Sequence, residues 1–173
     1  MSVASGSSRP DYPYMGDAVI LDEARFLEVI DRAPLVSIDL VVVDPDQRVL
    51  CGWRVNQPAR GFWFVPGGRI LKGEALDVAF GRIARSELGE GQWLRSDSRL
   101  LGVFEHLYDT NFAGVPGLTT HYVVLAYRLD VKSHPTPPDV QHSQYAWLSK
   151  SDSDTDPVRS SIHSNTAAYF HYL

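Results

Sequence analysis

The chain has 173 residues, of which 44% are hydrophobic and 21% charged, and its formal net charge is −5. This composition is typical of one globular domain with a substantial core, and the negative charge argues against a nucleic-acid binder, which usually carries a basic face. No apolar stretch is long enough to span a membrane. The single cysteine, Cys51, excludes an internal disulfide and is typical of a reducing compartment, so we expect a cytoplasmic protein.

The N-terminal segment is rich in serine, glycine and proline, and it lacks the basic start and apolar run of a signal peptide. We therefore predict a flexible tail over residues 1–15 and a single domain over residues 16–173.

The first half of the domain predicts one helix and three strands. Asp22 can cap an amphipathic helix that Pro34 ends. A run of β-branched residues follows, then a turn at Pro45 and a second strand, which together predict a hairpin. A third, short strand stops at the glycine-rich turn that begins at Pro66. The predicted helix covers residues 22–33, and the predicted strands cover residues 35–43, 48–54 and 62–65.

The second half begins with the strongest helical pattern in the chain, which Gly89 ends. Two longer strands, a proline-rich loop, a short strand and a final helix follow. This order predicts an α/β (α+β) domain with a mixed β-sheet sandwiched between helices. The predicted helices cover residues 75–88 and 165–172, and the strands cover residues 100–106, 120–129 and 145–148.

A carboxylate lies on the predicted apolar stripe of the central helix. Glu87 follows Leu76 by eleven residues, close to three helical turns, so it points along the core-facing side. A carboxylate there is costly unless it is paired or metal-bound, although it could also reach solvent at the helix end. Magnesium prefers such oxygen ligands, and the preceding glycine turn allows a close backbone approach to a ligand. The stripe comprises Leu76, Ala79, Phe80, Ile83 and Ala84.

The same segment resembles the signature of the Nudix hydrolase family. That signature is Gly, five residues, Glu, seven residues, then Arg-Glu-apolar-any-Glu-Glu-any-Gly. Ile83 and Ser86 stand where the family has two helical glutamates, with which an ordinary Nudix pyrophosphatase holds several divalent ions for attack on phosphorus. Their absence opposes that chemistry. The positions that match are Gly68, Glu74, Arg82, Glu87 and Gly89.

This departure is similar to one branch, the GDP-mannose mannosyl hydrolases, whose members lack the same two carboxylates. The resemblance implies attack of water on the anomeric carbon of the sugar, release of GDP and inversion. It also implies a single magnesium ion, which manganese can replace, a small-molecule nucleotide sugar as ligand, and a homodimer. It extends from about residue 26 to residue 170 and rests on blocks at residues 34–39, 56–69, 108–109, 111–112, 119–125 and 141–142.

The resemblance also implies roles for individual residues. His142 matches the general base, a role that suits the ordinary pKa of histidine, and Arg54 matches the group that stabilises the leaving diphosphate. The magnesium ligands are matched by the Gly67 carbonyl, Glu87 and the Gln141 side chain. The residues that meet the substrate are matched by Asp39, Arg69, Arg82, His106 and Tyr122.

Some of these residues could have a structural role in place of a binding role. Arg82 could pair with Glu74, eight residues earlier, and such a pair does not exclude substrate binding. Asp39 stands among apolar residues and needs a partner, which a sugar hydroxyl or a protein hydrogen bond would supply equally well. Phe26 matches a guanine neighbour. Core packing explains the remaining aromatic residues Trp53, Trp63, Phe64 and Trp147 better than base stacking does.

Three functions therefore compete. The first is a GDP-sugar hydrolase with GDP-mannose as first choice and GDP-glucose next. The second is a conventional Nudix pyrophosphatase that cleaves a nucleotide sugar at phosphorus, and the third is a nucleotide-sugar sensor without catalysis. Ile83, Ser86, Gln141 and His142 together favour the first.

Overall fold

The computed structural model describes residues 20–137, 142–153 and 161–173, with the backbone alone at residues 142, 143 and 153. The predicted tail over residues 1–15 lies outside the described residues. No helix within the described ranges is long and apolar enough to cross a membrane. The helices are α1 (Glu23–Arg32), α2 (Leu76–Leu88) and α3 (Ser164–Tyr169). The strands are β1 (Leu35–Val43), β2 (Val49–Arg54), β3 (Trp63–Phe64), β4 (Gly67–Arg69), β5 (Arg99–Tyr108), β6 (Thr120–Asp130) and β7 (His142–Leu148).

In the described part of the chain, these seven strands form one mixed sheet around β1. β1 runs parallel to β6, with Leu35 opposite Tyr122 and Val43 opposite Asp130, and β5 pairs antiparallel with the other side of β6. The predicted hairpin is confirmed, because β2 pairs antiparallel with β1 at Val43 and Val49. Beyond that point β1 pairs with β4, while β2 pairs with β3 and β7.

Helices cover both faces of this sheet, which confirms the predicted architecture. Successive side chains of β1 point to opposite faces, so one apolar strand serves two cores. On one face Ile38, Leu40 and Val42 pack with α2. On the other face Val41 and Val43 pack in the cluster that includes Tyr169 of α3.

The central helix α2 packs as its apolar spacing predicts, with one difference. Leu76 is 40% exposed, so the buried stripe starts one turn later than predicted. Phe80 anchors the stripe by an edge-to-face contact with Tyr127 of β6. Gly89 ends the helix at a φ of 86°, a backbone conformation that favours glycine. The buried side chains are Ala79, Phe80, Ile83, Ala84, Glu87 and Leu88.

Three predictions differ from the structure by three residues or more, and the other boundaries differ by at most two. The turn was predicted at residues 66–68, but Gly67–Arg69 forms the strand β4, since this segment pairs with β1. β7 begins at His142, three residues earlier than predicted, because the bulged end of β2 pairs with it. The last helix ends at Tyr169, before the predicted end at residue 172.

The glycine inside α2 offers a test of the helix. At Gly81 an added methyl group would meet only the Arg85 guanidinium at 3.6 Å and the Trp93 carbonyl at 3.8 Å. Because glycine costs a helix about 0.5–1 kcal/mol relative to alanine, Gly81→Ala should raise the free energy of unfolding by about that amount. Urea denaturation measures the change.

Gly89→Ala provides the matched comparison at the end of the same helix. A methyl group there would run into the Thr136 carbonyl at a left-handed φ, so the free energy of unfolding should fall by about 1–3 kcal/mol. Effects of equal sign from the two substitutions would contradict this account of α2.

Candidate active site

A pocket of about 220 Å³ lies where β1, β2, β4, β5 and β6 approach one another. Its lining is polar and aromatic, and it includes Ser37, Phe64 and Tyr108 among residues without a predicted role. The structure also brings six of the predicted site residues to this pocket, namely Asp39, Arg54, Gly67, Arg69, His106 and Tyr122.

Asp39 lies on β1 at the floor of the pocket and is 5% exposed. The Tyr169 hydroxyl donates a hydrogen bond to its Oδ2 at 2.7 Å, so a protein partner for this carboxyl group is present. Its Oδ1 lies so close to Gly67 that an added Cβ there would come within 2.7 Å. Burial raises the pKa of Asp39 to about 7, against the lowering effects of the Tyr169 hydrogen bond and the Arg54 charge.

His106 of β5 is also buried, and its Nε2 lies 3.2 Å from the same Tyr169 hydroxyl. Burial, together with the nearby His163, lowers the pKa of His106 to about 4. The imidazole is therefore neutral near pH 7 and carries one donor and one acceptor.

Arg54 is the last residue of β2, and its guanidinium lies over the Phe64 ring at 5.7 Å from the centroid. Its Nε is buried without a hydrogen-bond partner among the described residues. Such an unsatisfied donor is costly, and an anionic ligand would remove the cost.

The strand register places His142 opposite Arg54. The two residues pair across β7 and β2, next to the bulge after Gly52. Thus the predicted base and the predicted leaving-group residue are cross-strand neighbours in the backbone, a relation that the sequence did not reveal. Gln141 lies outside the described residues.

Arg69 forms another wall of the pocket at the end of β4. Its guanidinium stacks 3.7 Å from the centroid of Phe26, whose ring lies 5.2 Å from Phe112. Tyr122 of β6 also lines the pocket, and burial raises the pKa of its hydroxyl. An arginine beside a hydroxyl can bind phosphate oxygens.

Arg82 takes part in the ion pair that was considered as its structural alternative. Its Nε and Nη2 donate to the two carboxylate oxygens of Glu74 at 2.5 and 2.8 Å. Its Nη2 also donates to the Arg69 carbonyl at 2.8 Å, and Glu74 accepts from the Leu71 backbone at 2.9 Å. These bonds tie the middle of α2 to the end of β4 and to the segment that precedes the helix. The substrate-binding role of Arg82 stays a prediction.

The two altered positions of the signature differ in environment. Ile83 is 1% exposed, and its side chain lies 3.2–3.6 Å from the position of a Cβ at Gly68, so it packs beneath β4. Ser86 is exposed. Glu87 follows Ile83 by one turn and is 3% exposed, so it does not escape to solvent.

The buried Glu87 side chain and the Gly67 carbonyl are oxygen donors of the kind that magnesium takes, and in that respect the residues fit the ion. Within residues 20–137, 142–153 and 161–173, no three His, Cys, Asp or Glu side chains form a metal-binding group.

Two residues of α3 that the sequence did not single out contact the pocket. Tyr169 binds Asp39 and His106, and the Asn165 side chain donates to the Tyr108 hydroxyl at 3.3 Å. Their spacing within this short helix did not indicate a role in the pocket, because the residues that they contact lie on strands far away in the sequence.

Comparison with known proteins agrees with the fold. A family model described as the NUDIX domain matches residues 33–167. The low-salt glycan biosynthesis protein Agl8 of Haloferax volcanii is 43% identical over 117 residues, which cover 67% of this chain and 71% of that protein.

Solved structures give the same result. The MutT NUDIX hydrolase from Burkholderia pseudomallei has a TM-score of 0.59 and 23% identity, over 82% of this chain and 99% of that one. The NUDIX domain of Shewanella oneidensis NrtR, solved with ADP ribose, has a TM-score of 0.58 and 20% identity, over 88% and 96%. At these identities the likeness shows the fold.

The ion pair between Glu74 and Arg82 gives a pH-dependent prediction. Hydrogen bonds from Arg82 hold the pKa of Glu74 below its usual value, so the stability it contributes is present at neutral pH and is lost as the pH falls through the folded-state pKa. Glu74→Gln should lower the free energy of unfolding by about 1 kcal/mol at neutral pH and by much less in acid.

Urea denaturation of Glu74→Gln and of the unmodified protein, at neutral and at acid pH, measures the difference in the free energy of unfolding at each pH. The exposed Glu90 provides the control, since Glu90→Gln should have little effect at either pH. A deficit in Glu74→Gln that persists unchanged in acid would refute the ionic contribution.

Proposed function

The chain belongs to the NUDIX domain family, and from that premise we propose that it hydrolyses a GDP-sugar to GDP and the free sugar. GDP-mannose is the first candidate, and GDP-glucose is the next. Water attacks the anomeric carbon, and the configuration inverts. The observation that carries the proposal is the pairing of His142 with Arg54 beside a pocket that also contains Asp39 and Arg69.

In this reaction the diphosphate is the leaving group, and arginine stabilises it. The bond between the anomeric carbon and the diphosphate oxygen breaks, and its electron pair stays on that oxygen. Arg54 and Arg69 lie on the pocket wall, and the buried Nε of Arg54 lacks a partner within the described chain. Hydrogen-bond donors that are already in place where negative charge develops in the transition state lower the activation barrier more than they strengthen substrate binding. We assign leaving-group stabilisation to Arg54, with Tyr122 contributing its hydroxyl.

His142 accepts the proton of the attacking water as the new carbon–oxygen bond forms. An imidazole suits this task because its ordinary pKa lies near neutrality. The support is the position of its backbone at the start of β7, opposite the end of β2. The proton leaves His142 for solvent after the sugar has departed.

Asp39 and His106 bind the sugar from the floor of the pocket. Asp39 has one oxygen engaged by Tyr169 and a second beside Gly67, and His106 is a neutral ring with both donor and acceptor capacity. Sugar hydroxyls donate and accept hydrogen bonds, so this pair matches their chemistry.

Glu87, the Gly67 carbonyl and Gln141 are the residues that would hold a single magnesium ion. When bound, magnesium neutralises charge on the diphosphate. The burial of Ile83 under β4 supports a site with fewer carboxylates, because an additional glutamate there would enter an apolar core.

The main alternative is a pyrophosphatase that cleaves a nucleotide sugar at phosphorus. The retained Glu74–Arg82 pair and the buried Glu87 favour it, whereas Ile83 and Ser86 oppose it. The glycan-biosynthesis name of the Haloferax volcanii relative supports a sugar-containing substrate under either mechanism. The homodimer and the cytoplasmic location stay predictions.

Hydrolysis in oxygen-18 water distinguishes these reactions. With magnesium and a panel of nucleotide sugars, we expect GDP and a free sugar that carries the label, because water attacks carbon. Mass spectrometry of the products locates the label. GMP and sugar 1-phosphate, with label in a phosphate, would establish the pyrophosphatase instead, and binding without turnover would establish the sensor.

Replacement of the base gives a second prediction. His142→Gln should lower kcat by about 10²–10⁴-fold near neutral pH, and by less at high pH, where hydroxide replaces the base. Steady-state kinetics across pH measure the effect. The exposed His171 offers a matched control, and His171→Gln should retain activity. If His142→Gln is fully active at every pH, His142 is not the base.

A further inference from the structure

The hydroxyl of Tyr169 contacts two pocket residues at once. We propose that Tyr169 is a positioning residue, which holds Asp39 and His106 in a fixed relation and determines which ring nitrogen of His106 carries the proton. Its importance for turnover rests on the proposed function, whereas its effect on the His106 ring does not.

The geometry restricts this hydroxyl closely. Its oxygen lies 2.7 Å from Asp39 Oδ2 and 3.2 Å from His106 Nε2. Tyr169 is 1% exposed, and the Phe104 ring packs edge-on against it at a centroid distance of 4.9 Å. Water therefore has little access to the Tyr169 hydroxyl and cannot easily replace Asp39 or His106 as its partner. Both hydrogen bonds depend on the Tyr169 side chain.

The number of hydrogens available to these groups then determines the tautomer of His106. The hydroxyl has one hydrogen, and an ionised carboxylate can only accept, so when Asp39 is ionised Tyr169 donates to it. The phenol oxygen is left to accept from His106, and Nε2 must carry the proton. Because a neutral imidazole has one N–H, Nδ1 remains as its hydrogen-bond acceptor. One hydroxyl thus decides what His106 can offer to a ligand.

Backbone and side-chain hydrogen bonds to β3 fix the position of α3. The Trp63 backbone donates to the Ser161 carbonyl at 2.9 Å, and the His163 backbone donates to the Trp63 carbonyl at 3.1 Å. The Val65 backbone donates to Thr166 Oγ1 at 3.3 Å. Tyr169 therefore extends to the pocket floor from a segment held against a strand that lines the same pocket, which is the support that a positioning residue needs.

A buried tyrosine could also serve packing alone. Tyr169→Phe separates the two roles, because it removes the hydroxyl and keeps the ring in contact with Phe104. Tyr172→Phe is the matched control, since the Tyr172 ring also contacts Phe104 but is half exposed. Both substitutions remove a hydroxyl from a ring that contacts Phe104, but only Tyr169→Phe removes the hydrogen bonds to Asp39 and His106.

Nitrogen-15 NMR of the full chain tests the tautomer directly. At mildly alkaline pH, where Asp39 is a carboxylate, we expect His106 in the unmodified protein to carry its proton on Nε2. The signal is assigned by its loss in His106→Gln. In Tyr169→Phe the ring should shift towards the Nδ1–H form, and in Tyr172→Phe it should not. A proton on Nδ1 in the unmodified protein, or an unchanged ring in folded Tyr169→Phe, would overturn the proposal.

Kinetics test the consequence for turnover. With a nucleotide sugar that the unmodified protein hydrolyses, Tyr169→Phe should lower kcat about tenfold and change KM by less than about twofold. Tyr172→Phe should match the unmodified protein. Unchanged kcat in Tyr169→Phe would overturn the positioning role. If the unmodified protein hydrolyses no nucleotide sugar, the proposed function fails, but the NMR spectrum still tests the His106 tautomer. If Tyr169→Phe does not fold, the NMR spectrum of the unmodified protein alone tests that tautomer.

Discussion

The pairing of β1 with two different neighbours is the constraint on which the pocket depends. β1 lies parallel to β6 along its whole length and antiparallel to β4, so Asp39 is placed between Ala126 and Gly67. A shift of one residue would move Asp39 to the α2 face and place its carboxyl group in the apolar core there. The burial of both faces therefore fixes the register, and the register fixes the pocket floor.

The cost of buried charge shapes the surroundings of this floor. Asp39 is a carboxyl group inside a sheet, where burial would favour its neutral form. The Tyr169 hydrogen bond and the Arg54 charge act in the opposite direction. Glu74 meets the same problem near α2 and resolves it with two bonds from Arg82. The pocket and the helix start are thus stabilised by polar contacts that the apolar cores alone could not supply.

Much of this arrangement was predictable from the chain. Patterns that repeat along one segment predicted α2, β1 and the hairpin, and the resemblance indicated six residues that line the pocket. Contacts between distant segments were not predictable. The pairing of Gly67 with Asp39, the cross-strand position of His142 and the reach of Tyr169 each need a partner far away in the sequence. Local spacing contains no information about such partners.

The link between Tyr169 and Asp39 also has a consequence for the order of folding. It joins residues that are 130 positions apart, so closing this loop costs chain entropy, and the intervening strands and α2 reduce that cost once they have formed. We therefore expect the polar floor of the pocket to assemble late in folding. A chain that has formed its sheet and the apolar core beneath α2, but has not docked α3, would resemble the native protein in most of its secondary structure while lacking a complete binding site. In this fold, ligand binding reports completed folding, and a bound ligand would in turn stabilise the docked helix.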